Sequence, residues 1–134
     1  MHSSIINNRA KAQQILAFDG LQWGKCRCTD IDMSLDWQQR TFIFVEIKTR
    51  FVPLTIGQRI HLEGLVKAIR KGGKTAYAIL ATHVTPLTED VHVAQCDTTS
   101  IWDGNTWDVT DTKETLSVTL DRLYKDHLEE YPRK

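Results

Sequence analysis

Thr29-Asp30-Ile31-Asp32-Met33-Ser34-Leu35-Asp36, a polar break at Trp37–Arg40, and Thr41-Phe42-Ile43-Phe44-Val45-Glu46-Ile47-Lys48-Thr49-Arg50 together decide how this chain folds. From Cys26 to Asp36, residues Cys28, Asp30, Asp32 and Ser34 alternate with Ile31, Met33 and Leu35, the period of a strand with one polar face. The nearly unbroken β-branched and aromatic run from Thr41 to Thr49 predicts a central strand buried on both faces. Glu46 and Lys48 stand two apart in that run, so their side chains share a face. With the turn at Trp37–Arg40, antiparallel pairing sets Glu46 opposite Asp30 or Asp32, depending on register. Buried charges are costly unless they are paired. A hard divalent cation, Mg2+ or Mn2+, would supply the pairing through the carboxylates, the carbonyl of Ile47 and water. The spacing to Glu46 favours Asp32 as the ligand in a short hairpin, with Asp30 as the alternative.

Working outward, Asn8–Phe18 is rich in helix formers and stops before Asp19-Gly20. Pro53 breaks the central strand. Thr55 can then cap a helix over Ile56–Lys71, with Leu62, Leu65, Val66 and Ile69 as its apolar stripe and Gly72-Gly73 as its stop. Thr75–Val84 is a second buried strand, and strand, helix, strand in that order places it parallel to Thr41–Thr49. Val91–Cys96 is expected as a short strand and Ile101–Trp107 as a hairpin turning at Asp103-Gly104-Asn105. Asp111 and Glu114 look like the start of a closing helix that runs to about Tyr131. The pattern predicts one α/β domain over residues 1–134, a single mixed sheet flanked by helices, with a core at about 8–86 and a periphery at 87–134.

The composition is that of a globular protein, 41% hydrophobic and 25% charged. Seventeen basic and seventeen acidic residues cancel, so any phosphate-binding surface must be a local patch. No apolar run is long enough to span a bilayer, which predicts no membrane partner. The first residues lack the apolar stretch of a secretory signal, and Cys26, Cys28 and Cys96 form an odd set. Both features predict a cytoplasmic protein with reduced thiols.

The Asp30/Asp32 pair, the Glu46-Ile47-Lys48 triplet and Gln58 in Ile56-Gly57-Gln58-Arg59 resemble the PD-(D/E)xK nuclease superfamily, which has the restriction-endonuclease-like fold. The resemblance covers roughly Asn8 to Pro86, and the whole layout is similar to small phage and prophage proteins. It implies an αβββαβ core with added C-terminal strands and helix. It also implies Mg2+- or Mn2+-dependent hydrolysis of phosphodiester bonds, with Asp32, Glu46, Lys48 and Gln58 as the catalytic set. Asp32, Glu46 and the Ile47 carbonyl would be the metal ligands. Two departures accompany it: Thr29 or Ile31 stands where the family usually has proline, and Asn8–Leu16 carries no acid.

The implied partner is nucleic acid, DNA before RNA. So small a domain leaves two arrangements open, a homodimer or a cut in one strand. Arg50, Arg59, Lys71 and Lys74 form part of the densest basic region and would serve as a phosphate track; the simpler reading is a solvated surface. His83 and His61 are expected as structural residues, and Trp102 and Trp107 as a packed cross-strand pair. An alternative on the same fold is a weakly active or inactive module that holds nucleic acid or a partner protein.

Overall fold

A computed structural model describes residues 16–110 and 113–132. Its centre is the β3–β4 hairpin, Met33–Trp37 and Thr41–Thr49, paired antiparallel with Met33 against Val45 and Trp37 against Thr41. Three residues, Gln38–Arg40, connect the strands; Arg40 N–H donates to the Trp37 carbonyl at 3.1 Å, closing a β-turn whose central Gln38 and Gln39 are both at positive φ (61° and 54°), the signature of type I′. The amide of Gln39 donates to Asp36 Oδ1 at 2.7 Å, which steadies a conformation that glutamine rarely adopts.

Helix α1, Ile56–Lys71, crosses over the sheet to β5, Thr75–His83. β5 lies parallel to β4 along its whole length, from Thr41 against Thr75 to Thr49 against His83. At the end of α1, Gly73 is left-handed (φ 86°) and Lys74 N–H reaches back to the Ile69 carbonyl, which stops the helix and turns the chain into β5. β6, Asp97–Trp102, and β7, Trp107–Val109, complete a five-stranded mixed sheet in the order β3-β4-β5-β6-β7. Helix α2, Leu116–Glu130, closes the domain. A separate two-stranded hairpin, β1 (Gln22–Trp23) with β2 (Cys26–Arg27), precedes the sheet.

Strand alternation divides the core in two. Ile43, Val45, Ile79 and Ala81 point to one face and pack with Leu116 and Leu123 of α2. Ala76, Ala78, Phe42 and Phe44 point to the other and pack with Leu62 and Val66 of α1. β4 and β5 are therefore buried on both sides, as their composition requires. The α2 side is locked by His127, 2% exposed: its Nδ1 lies 2.6 Å from Thr41 Oγ1 and its Nε2 3.2 Å from Gln38 Oε1. Because the Gln38 carbonyl can only accept, Nε2 carries the proton and the Thr41 hydroxyl donates to Nδ1.

Several boundaries differ from expectation. The alternating segment Cys26–Asp36 is two short strands, β2 and β3, because Cys26–Arg27 pairs with Gln22–Trp23 instead of joining the main sheet. Val91–Cys96 is not a strand. A 3-10 turn occupies Val93–Gln95, and pairing with β5 begins only at Asp97. The closing helix starts at Leu116, capped by Thr115, whose hydroxyl accepts from Val118 N–H; Glu114 instead pairs with Arg122. Asp111 and the stretch 8–15 of the expected first helix lie outside the described residues, and Leu16–Phe18 is not helical. The Asp103-Gly104-Asn105 turn forms as expected, with Asp103 Oδ1 accepting from the amides of Asn105 and Thr106. Trp102 and Trp107 pack with centroids 5.8 Å apart. Among the described residues no helix is long and apolar enough to cross a membrane.

His127→Ala should lower stability by roughly 2–4 kcal/mol, because it opens a cavity and strands the Thr41 hydroxyl. Chemical denaturation would show a lower midpoint at an unchanged slope.

Candidate functional site

Glu46 lies on the α1 face of β4, two residues beyond Phe44, at the point where the helix stops covering the sheet. It is 4% exposed, an unusual place for a carboxylate. Its Oε1 accepts a hydrogen bond from Gln58 Nε2 at 3.1 Å, while its Oε2 is buried and meets no hydrogen-bond donor.

Gln58 is held by the helix that it helps to start. Thr55 is the N-cap, and its hydroxyl accepts from Gln58 N–H; the Gln58 side-chain carbonyl in turn accepts from Thr55 N–H, each at 3.1 Å. This reciprocal capping box turns the carbonyl to the backbone and leaves the amide nitrogen for Glu46. A glutamate at 58 would keep the box but set carboxylate against carboxylate.

Asp32 is placed by the β3–β4 register. Continuing that register one residue beyond Met33 and Val45 sets Asp32 opposite Glu46. There its Oδ2 accepts from Ile47 N–H at 2.7 Å, so a side chain takes over where the strand ladder stops. Asp30 lies two residues farther out, exposed, and contributes only a weaker repulsion to Glu46. Lys48 follows Glu46 on the same face and is half-buried; its positive charge offsets part of that repulsion. Burial first, then the charge of Asp32 and the hydrogen bond that a protonated Glu46 carboxyl makes with it, push the Glu46 carboxyl up to about 7.

The donors suit a hard cation. They are oxygens only, two carboxylates are adjacent, and one buried carboxylate oxygen is unmatched. Among the described residues there is no group of three or more His, Cys, Asp or Glu side chains able to hold a metal. The Ile47 carbonyl and water would therefore have to complete the shell.

The basic residues named from sequence do not all gather here. Arg50 follows the end of β4, four residues beyond Glu46, with its guanidinium 4.9 Å from the Phe51 ring centroid. Arg59 is one turn along α1 and pairs with Glu63 at 2.7 Å. Lys71 and Lys74 sit at the other end of the sheet, by the start of β5, roughly 15 Å along the strands from Glu46. Lys74 Nζ donates there to the Gln39 carbonyl. They belong to the connection that closes the crossover, not to the site. His83 faces the opposite side of β5 from Thr82 and accepts from Thr85 N–H at 3.1 Å, as a structural residue does. Trp107 donates to Glu63 at 2.9 Å.

What the sequence reading missed is Phe51. Val52 N–H donates to the Thr49 carbonyl at 2.9 Å, closing a β-turn whose third position is Phe51 at φ 69°. That position normally takes glycine or asparagine. The only sequence signal was an aromatic residue directly ahead of a strand-breaking Val52-Pro53.

A carboxyl held above its unfolded value keeps its proton in the folded state after the unfolded chain has released it. The metal-free protein should therefore lose stability as pH rises from 4.5 to about 7, and level off above that. Glu46→Gln keeps the Gln58 contact and removes the ionisation, so it should flatten this profile. At pH 8 it should be the more stable protein by up to about 3 kcal/mol, read from denaturant midpoints across pH. Comparisons with family models, with curated proteins and with solved structures return no match, so the chemistry of the site rests on its own residues.

Proposed function

We propose that the chain is a metal-dependent nuclease of the PD-(D/E)xK kind that hydrolyses phosphodiester bonds of DNA, with the restriction-endonuclease-like fold as its scaffold. The observation that carries this reading is the unmatched, buried Oε2 of Glu46 beside Asp32, with Lys48 next on the same face. A purely structural ion pair would satisfy its oxygens and lie at the surface.

In this reading Asp32, Glu46 and the Ile47 carbonyl hold Mg2+ or Mn2+. The ion would withdraw charge from a phosphate oxygen and make a nearby water more acidic. Gln58 fixes the rotamer of Glu46 by its hydrogen bond, so the carboxylate need not reorganise. Lys48 orients the attacking water and offsets the negative charge that grows on the phosphate. The water oxygen forms a new bond to phosphorus while one ester bond breaks. The departing sugar oxygen takes a proton from solvent, and the attacking water releases one.

Cleavage of labelled DNA should require Mg2+ or Mn2+ and should fall at least about a hundredfold in Glu46→Ala and Lys48→Ala. Gln58→Ala should cost less, about tenfold, because it loosens Glu46 without removing a ligand. Manganese should raise the melting temperature of the wild type and leave Glu46→Ala unmoved. Cleavage that persists in both alanine variants would sink the assignment. Nucleic-acid binding without cleavage or a manganese effect would instead identify the catalytically silent module.

A further inference from the structure

β5 is covered by α1 only over its first half, where Ala76 and Ala78 meet Leu62 and Val66. Beyond it, Leu80 and Thr82 form the floor of an open groove of about 380 Å3. The groove borders the candidate metal-site strand, because Leu80 is the strand neighbour of Glu46 and Thr82 that of Lys48. The floor is extended by Thr99, the extra residue of a β-bulge: Leu80 pairs with Ser100 and Ala81 with Thr98, which leaves Thr99 over. Thr99 turns its hydroxyl to Thr82, 2.9 Å away. One wall is the turn that carries Arg50 and Phe51; the other is Val109 with Lys113.

Phe51 is the informative residue of that wall. It is 88% exposed, so it adds nothing to the core. It also occupies a left-handed turn position in which a non-glycine residue costs about 1–2 kcal/mol. Strain of this sort at an exposed aromatic, in the turn that ends the strand carrying Glu46, points to a role for the ring outside the fold. Arg50 next to it and Lys113 across the groove set two positive charges on the lining against the one negative charge of Asp97, a balance that still suits a phosphate-bearing ligand.

We propose that this groove takes one unpaired nucleotide next to the scissile phosphate, its base lying on the Phe51 ring and its backbone between Arg50 and Lys113. The assignment of that phosphate to the Glu46 site rests on the nuclease reading above. The volume lies near the lower end of the roughly 300–1,000 Å3 typical of small-ligand sites, enough for a base and its sugar and not for a duplex. A base within a duplex has both faces covered by its neighbours, whereas a base on a single strand, a frayed end or a flap presents a free face to an aromatic ring. The substrate class is therefore single-stranded DNA, or a junction with an unpaired stretch.

The test uses the full chain with manganese, a fluorescent phosphorothioate oligothymidylate that resists cleavage, and a blunt duplex of equal length, with binding read by anisotropy. The single strand should bind the wild type more tightly than the duplex does. Phe51→Gly should weaken strand binding about tenfold, the effect of losing one stacked base. Phe51→Trp should restore it. Because glycine relieves the turn, Phe51→Gly should melt no lower than the wild type. Strand binding indifferent to Phe51→Gly, no strand binding, tighter binding of the duplex, or a lowered melting temperature in Phe51→Gly would each overturn the proposal. The two readings fail separately. Phe51-dependent strand binding without Glu46-dependent stabilisation by manganese would keep the groove and remove the nuclease. The converse would keep the nuclease and remove the groove.

Discussion

Burying a carboxylate inside a sheet demands that the surrounding structure hold it there, and Glu46 meets that demand through three separate elements. The β3–β4 register brings Asp32 opposite it, the capping box of α1 aims the Gln58 amide at it, and β4 carries Lys48 beside it. None of these neighbours satisfies Oε2. The result is a site with its geometry set in advance and its charge only partly offset by Lys48. On the proposed nuclease reading this is a cation-binding centre before it is loaded, and such a centre weakens the empty fold.

The rest of the molecule supports that one residue. Two apolar layers, one under α1 and one under α2, bury β4 and β5 on both faces and keep the strands in register. His127 ties α2 to both ends of the tight Gln38–Gln39 turn region, through Thr41 and Gln38, so the hairpin that delivers Asp32 is fixed from behind. At the other end of β4 the same strand runs directly into the strained Phe51 turn. Site, hairpin and groove wall are thus consecutive parts of one stretch of chain.

Much of this architecture was legible in the residues. The doubly apolar run of β4, the Thr55 cap, the Gly72-Gly73 stop and the apolar stripe of α1 are local signals, and local physics carries them out unchanged. Glu46 and Lys48 had to share a face because strand side chains alternate. Where neighbouring chain competes, local signals failed: Cys26–Arg27 pairs with Gln22–Trp23, and Val93–Gln95 coils although it looks apolar enough for a strand.

The sequence by itself determined which residues could be buried, which helix follows which strand, and that Glu46 and Lys48 would share a face opposite Asp30 or Asp32. Those outcomes follow from periodicity and capping, which act over a few residues. Only the tertiary structure placed Asp32 instead of Asp30 opposite Glu46, because that depends on where a three-residue connection falls and so on the register of the whole hairpin. It also separated Lys71 and Lys74 from the site, since a helix that crosses the sheet carries its C-terminus to the far end of the strands. The groove beside Phe51 was invisible for the same reason: it forms between the turn that follows β4 and segments of β5, β6 and β7 that meet only when the sheet assembles.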